Sequence, residues 1–307
     1  MLLLDAQNEV ASGLTSTRPD FVFNIAEGTS GVDREAEVPR LLESLGIPYT
    51  GSGPETLSLC LDKARTKKTL QTLGIPTPRF TLFDFSPGSP EQPSFPCFPA
   101  IVKPCWEGSS KGILNSSLVR DQYELSREVS RIGTNYRQPA IVEDFLPGRE
   151  FTAALLGNGD ELEVLPIVEI ALDCLPAEAP QIYSYEAKWL WDKPENPLPI
   201  LRCPAEIPIE TAQQIKTLAL KTFKALECRD WCRIDFRADA TGKIHVLEVN
   251  PLPGILPEPK ENSCFPLAAR TAGIAYDDLI LNILNTACRR IESTRYSERT
   301  ASPRFGG

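Results

Sequence analysis

The sequence predicts an α/β protein in which a short parallel-sheet unit at the amino terminus precedes two α+β units richer in strands. An apolar run, Phe21-Val22-Phe23-Asn24-Ile25, comes before a segment of helical spacing from Arg34 to Leu45, and strand followed by helix is the repeat of a parallel sheet. Past a proline-rich connection, Ser86 to Pro99, the pattern shifts to short apolar runs separated by turns. At 307 residues, with 42% hydrophobic and 24% charged, the chain is long enough for several compact cores and has the composition of globular proteins.

The elements follow in order. A helix is expected from Pro54 to Leu73, ended by Gly74-Ile75-Pro76. Strands are expected at Ala100-Ile101-Val102-Lys103, Ala140-Ile141-Val142-Glu143 and Phe151 to Leu156. Leu172 to Pro204 has no clear period and reads as a long loop, a class of segment that is often functional inside a compact domain. A helix from Pro208 to Leu226, strands Trp231 to Arg237 and Lys243 to Asn250, and a helix from Tyr276 to Arg290 complete the chain. The units so defined are 1–52, 53–142 and 143–290, with 291–307, carrying Arg295, Arg299 and Arg304, expected as a disordered tail.

Composition excludes several functions. A net charge of -9 argues against a nucleic-acid partner, whose phosphates call for clustered Lys and Arg. No apolar run reaches membrane-spanning length, and Met1-Leu2-Leu3-Leu4-Asp5 lacks the basic flank of a signal peptide, so a cytoplasmic protein with no membrane partner is expected. Nine cysteines without a Cys-x-x-Cys pair read as reduced thiols, mostly buried. The single histidine, His245, alternates with Leu247 and Val249 and reads as structural, which leaves no Ser-His or Cys-His relay. Chemistry must rest on carboxylates, lysines, arginines and metal.

The densest chemical signal is a pair of strands. Arg233 and Asp235 share one face of the first, Glu248 and Asn250 one face of the second, and Asp239-Ala240-Thr241-Gly242 between them is turn chemistry. A hairpin would bring all four onto one wall. Two carboxylates and an amide oxygen suit magnesium, which takes oxygen ligands; the alternative is a solvated face with an Arg233–Asp235 ion pair. Lys103 ends a strand shortly before Glu107-Gly108-Ser109-Ser110-Lys111-Gly112, whose backbone N–H groups could cradle a phosphate or form an ordinary hairpin turn. Glu143 closes a strand before Pro147-Gly148-Arg149-Glu150-Phe151, where acceptors could meet a nucleotide's base and ribose.

These elements, with Val22-Phe23-Asn24, Gly46-Ile47-Pro48-Tyr49-Thr50-Gly51-Ser52-Gly53, Leu61-Asp62-Lys63, Tyr185-Glu186-Ala187-Lys188, Pro253-Gly254 and Ala268-Ala269-Arg270, stand in an order that resembles the ATP-grasp ligases, specifically the D-alanine–D-alanine ligase group, from about Pro19 to Arg290. The resemblance implies an ATP-grasp fold with two α+β subdomains enclosing ATP. It implies ATP contacts from Lys63, Lys103, Glu143, Leu146, Glu150 and Lys188, the last in a loop closing over the site, and two magnesium ions, or manganese, on Asp235, Glu248 and Asn250. The reaction it implies runs through an acyl phosphate, with Arg233 and the Gly254 N–H on the oxyanion, Ser109 and Lys188 in the catalytic set, and Ser263, Trp189 and Glu27 at the amino-acid substrates. The activity expected is D-alanine–D-alanine ligation for peptidoglycan synthesis, by a monomer or a homodimer.

Departures from the family all lie on the amino-acid side. The sequence as given starts past the family's first strand, Gly-rich turn and helix and shows no counterpart of the glutamate near the first substrate's ammonium, so a divergent member with a short or mis-started amino terminus is expected. Trp189 replaces a tyrosine, Glu27 stands where histidine is common, and the segment from Gly254 to Ser263 is longer and proline-rich. Two alternatives follow: an ATP-grasp carboxylate–amine ligase of other specificity, and an inactive nucleotide-binding protein.

Overall fold

The computed structural model describes residues 2–6, 10–29, 31–84, 94–193 and 195–301, the last seven of these by backbone alone. The amino-terminal unit contains helices α1 (Val10–Thr17) and α2 (Arg34–Ser44), which bury Leu14, Val38 and Leu42 against Tyr49. The strand expected at 21–25 reduces to one parallel bridge, Val22 with Tyr49. Its ladder is two bonds long, Val22 N to Pro48 O at 2.9 Å and Thr50 N to Val22 O at 3.0 Å, after which the Asn24 N–H turns to the Thr50 hydroxyl. With no further strand alongside it among the described residues, the run cannot extend into the expected parallel sheet.

The helix expected from 54 to 73 is two helices, α3 (Pro54–Leu61) and α4 (Lys63–Thr72). Asp62 between them is extended, and its carboxylate accepts from the Arg65 N–H at 2.9 Å and the Trp106 indole N–H at 3.1 Å. A strong N-cap thus starts a new helix where an apolar helix gives way to the polar run Lys63-Ala64-Arg65-Thr66-Lys67-Lys68. Next come β1 (Phe80–Phe83), β2 (Ala100–Pro104), β3 (Leu118–Val119), α5 (Gln122–Tyr136) and β4 (Ala140–Asp144). The four strands form an antiparallel sheet in the order β1-β4-β2-β3, covered by Leu125, Val129 and Ile132 of α5. Because β4 runs to Asp144, the sheet extends past the boundary expected at 142. Most of the proline-rich connection, 85–93, lies outside the described residues.

The larger sheet contains β5 (Glu150–Leu156), β6 (Glu163–Val164), β7 (Val168–Ile170) and β8 (Leu201–Arg202). After α6 (Ile209–Ala225), the hairpin β9 (Trp231–Ala238) and β10 (Ile244–Asn250) completes it in the order β10-β9-β5-β7-β8, with β6 on β5. The stretch expected as a loop, 172–204, holds short helical turns at Leu172–Cys174 and Glu186–Trp191 besides β8. One face of the sheet presents Phe151, Ile234, Phe236 and Val246 to α6 and to Leu70 of α4. The other face is divided along its length. At one end Ala154, Leu156 and Trp231 pack on α7 (Cys264–Thr271) and α8 (Tyr276–Ala301); at the other end the same strands turn polar and face a cavity. Thus α8 continues helical past Arg290 through part of the expected tail, while 302–307 lie outside the described residues. Among the described residues no helix is long and apolar enough to cross a membrane, and all nine cysteines are free thiols, with Cys97 exposed.

Candidate active site

The polar wall is built by strand register. β9 pairs with β10 so that Arg233 opposes Asn250 and Asp235 opposes Glu248, and a bulge at Leu247 shifts the phase between Val246 and Glu248. The extra residue turns Glu248 and Asn250 to the side of Arg233 and Asp235 while Val249 stays in the core. It also corrects the strand reading of His245, which lies on the Glu248 side of the hairpin rather than alternating with Val249. Its role is local: its ring nitrogen lies 2.9 Å from Asp239 in the turn.

Asp235 accepts from Arg233 Nε and Nη2 at 3.0 and 3.1 Å, from the Thr152 hydroxyl at 2.6 Å and from Asn250 Nδ2 at 3.1 Å. Glu248 pairs with Lys63 at 2.8 Å; burial pushes its carboxyl up, but Lys63, with Lys103 and Arg233, more than offsets burial and holds it below the ordinary range. Lys63 also donates to the Glu107 carbonyl, so its ammonium bridges the wall and the Gly-Ser loop. Among the described residues no group of three or more His, Cys, Asp or Glu could hold a metal; the wall's oxygen set is two carboxylates and one amide.

Opposite the wall stands the smaller sheet. Glu143, 1% exposed, pairs with Lys103 at 3.0 Å and Lys67 at 3.3 Å. Burial opposes its ionisation, and the two ammonium groups more than offset that. Its Oε1 is buried with no partner, an acceptor without a donor at the cavity edge. Lys67 was not legible as a site residue; burial pulls its ammonium down to about 8. Glu150 pairs with Arg237 at 2.9 Å, and Leu146 lines the same end of the cavity, which measures about 360 Å³.

Two loops roof the cavity. Ser109 and Ser110 both take positive φ, 52° and 59°, an uncommon pair for residues with a side chain. The backbone there is held by a second segment: Ser110 Oγ donates to the Tyr183 carbonyl at 2.9 Å, Tyr185 N to Ile113 O at 2.7 Å, and Trp189 Nε1 to the Ser109 carbonyl at 2.9 Å. Lys188 sits in a π-helical turn, Glu186–Trp191, of the kind common at functional sites. Its ammonium lies over the Tyr183 and Trp189 rings at 5.9 and 5.7 Å, and burial lowers its pKa.

Glu27, Ser109, Arg233, Glu248 and Gly254 line both this cavity and a smaller adjoining hollow, to which Asn250 and Glu35 belong. The Ser263 hydroxyl donates to the Gly254 carbonyl at 3.3 Å, folding the proline-rich segment back at the cavity rim. Asn262 and Cys264 also line the cavity, and nothing in their spacing marks them. Burial pushes the Glu35 carboxyl up to about 7, with Arg34 at 3.9 Å opposing and Glu27 adding. Between pH 4.5 and 7 the folded chain therefore holds more proton at Glu35 than the unfolded chain, and stability falls as pH rises through that window. Urea denaturation of Glu35→Gln should show an advantage over wild type that is small at pH 4.5 and grows by up to about 3 kcal/mol at pH 8.

The family described as "D-ala D-ala ligase C-terminus" matches residues 69–285. The chain is 36% identical over 282 residues to the D-alanine–D-alanine ligase B of Chromobacterium violaceum, covering 92% of this chain and 85% of that one. It is 40% identical over 269 residues to the "Uncharacterized protein y4sG" of Sinorhizobium fredii, covering 88% and 75%. Among solved structures, a D-alanine–D-alanine ligase from Bacillus anthracis complexed with ATP superposes with a TM-score of 0.71 at 27% identity, covering 92% of this chain and 85% of that chain. With two antiparallel sheets facing each other across one cavity, and this likeness over most of its length, the chain belongs to the D-alanine–D-alanine ligase family of ATP-grasp fold.

Proposed function

We propose that the protein joins two D-alanine molecules at the expense of ATP. The observation that carries this reading is the juxtaposition, across one cavity, of the Arg233–Asp235–Glu248 wall and the Lys103–Glu143 pair. Adenosine lies between Glu143, Glu150 and Leu146, with the unpartnered Glu143 Oε1 ready to accept from an amino group of the base. Lys103, Lys188 and the backbone of the 107–112 loop hold the phosphates, and Lys63 steadies the wall beside them. Asp235, Glu248 and Asn250 are an all-oxygen set that fits two magnesium ions, already balanced by the positive charges of Arg233 and Lys63. Bound there, magnesium supplies the charge that neutralises the β- and γ-phosphates.

The first D-alanine's carboxylate attacks the γ-phosphorus and ADP departs, leaving an acyl phosphate. The neutral amine of the second attacks the acyl carbon. Arg233 and the Gly254 N–H hold the oxyanion, Ser263 holds the second carboxylate, and collapse expels phosphate with the oxygen that had belonged to the first carboxylate, the phosphate taking up the proton that the amine nitrogen loses. Trp189, whose indole is bonded to the Ser109 carbonyl, favours a second reading in which the amino-acid side accepts other substrates. Phosphate release from MgATP, measured with D-alanine and then with a panel of amino acids, tests both. D-alanine-dependent release with dipeptide formation is expected; release only with other amino acids replaces the first reading by the second, and nucleotide binding without release contradicts both.

A further inference from the structure

Lys67 touches no substrate in the proposed chemistry, yet it is 1% exposed. A buried ammonium is costly unless its three donors are met, and here each is met from a different element. It reaches Glu143 Oε2 of β4 at 3.3 Å, the Leu247 carbonyl in the β10 bulge at 3.0 Å, and the Thr77 hydroxyl at 3.1 Å. The Thr77 hydroxyl in turn donates to the Val246 carbonyl at 2.9 Å, and the Val246 N–H donates to the Pro76 carbonyl at 2.8 Å. Both residues at the start of the bulge are thereby tied to α4 and the segment that follows it.

The bulge is the feature that turns Glu248 and Asn250 toward Asp235; a one-residue slip would send them to the core face. A bulge also leaves its extra residue outside the ladder, so the Leu247 carbonyl needs a donor from elsewhere. We propose that Lys67 is a positioning residue for the nucleotide site: one ammonium fixes the bulge that aims the metal-binding side chains and, on the facing sheet, fixes the Glu143 carboxylate. The two ends of the nucleotide site are thus held at one separation by a residue that touches neither substrate nor metal. This inference rests on reading the cavity as a site for ATP and magnesium.

Calorimetric titration of ATP with and without magnesium separates this role from a structural one. In Lys67→Met the gain in ATP affinity conferred by magnesium should fall about tenfold or more, as for loss of an outer-shell partner of a metal ligand. Glu143→Gln should instead weaken ATP by the same factor with and without the metal. Thr77→Val, which removes one support of the bulge and keeps the side chain's shape, should lower the magnesium gain about threefold and serves where Lys67→Met fails to fold. Amide exchange at 247–250 should quicken in both bulge variants. An unchanged magnesium gain in a folded variant overturns the inference, whereas a wild-type chain that gains nothing from magnesium overturns the reading beneath it.

Discussion

Glu248→Gln should lower kcat for dipeptide formation by about a thousandfold while leaving ATP affinity in the absence of magnesium within about threefold of wild type. The substitution keeps shape and one acceptor oxygen but removes the charge that Lys63 now balances at 2.8 Å. Two effects add. The wall loses a carboxylate proposed to hold divalent metal, and Lys63, 6% exposed, is left without its ionic partner beside the Gly-Ser loop. A thousandfold loss corresponds to about 4 kcal/mol of transition-state stabilisation, the scale expected when charge neutralisation at a transferring phosphoryl group is removed. Steady-state kinetics over a magnesium series checks it: raising magnesium should recover little of the loss, because the missing charge also sets the geometry of the phosphates.

The second large effect concerns stability, far from the cavity. Asp230 is fully buried, and its carboxylate accepts from the Gly51 N–H, Asn158 Nδ2, and Arg290 Nε and Nη2, all at 2.8 Å. Arg290 also donates to the Tyr49 carbonyl at 3.0 Å. One carboxylate therefore ties the amino-terminal unit, the loop after β5 and helix α8 to the start of β9. Asp230→Ala strands the half-buried Arg290 and two donors and should cost about 3–5 kcal/mol in urea denaturation. Asp230→Asn should cost about half as much, since it keeps an acceptor and tolerates the φ of 67° found there. A cost below about 1 kcal/mol for the alanine variant would mean that the three parts are held together by their apolar contacts alone.

The hairpin was legible because its polar faces repeat with the strand period and its turn has unmistakable residues: Asp239 Oδ1 accepts from the backbone N–H groups of Thr241 and Lys243, and Gly242 takes φ 85°. The bulge was not legible, since an extra residue changes which side chains share a face without changing composition. Helix α5 had a readable start, with Asp121 accepting from Glu124 N and Glu124 accepting from Arg120 N, but no site residue drew attention to it. The break at Asp62 was hidden because helix-forming residues stand on both sides of it, apolar before and basic after. Lys67 and Asp230 act through contacts 180 and 60 positions away, to Leu247 and Arg290, and no local pattern encodes such pairings. The residues proposed to hold ATP were legible through the motifs that carry the resemblance, whereas Asn262 and Cys264 reach the cavity wall through the fold alone.

The central claim is that a carboxylate is phosphorylated and then displaced by an amine within one cavity. It is tested most directly by supplying D-alanine labelled with ¹⁸O in both carboxylate oxygens, together with MgATP, and weighing the products by mass spectrometry. An acyl phosphate requires that each phosphate released carry one ¹⁸O and that the new dipeptide bond retain one ¹⁸O at its carbonyl. Phosphate released without label would mean that water, not the carboxylate, receives the γ-phosphoryl group, and would contradict the account.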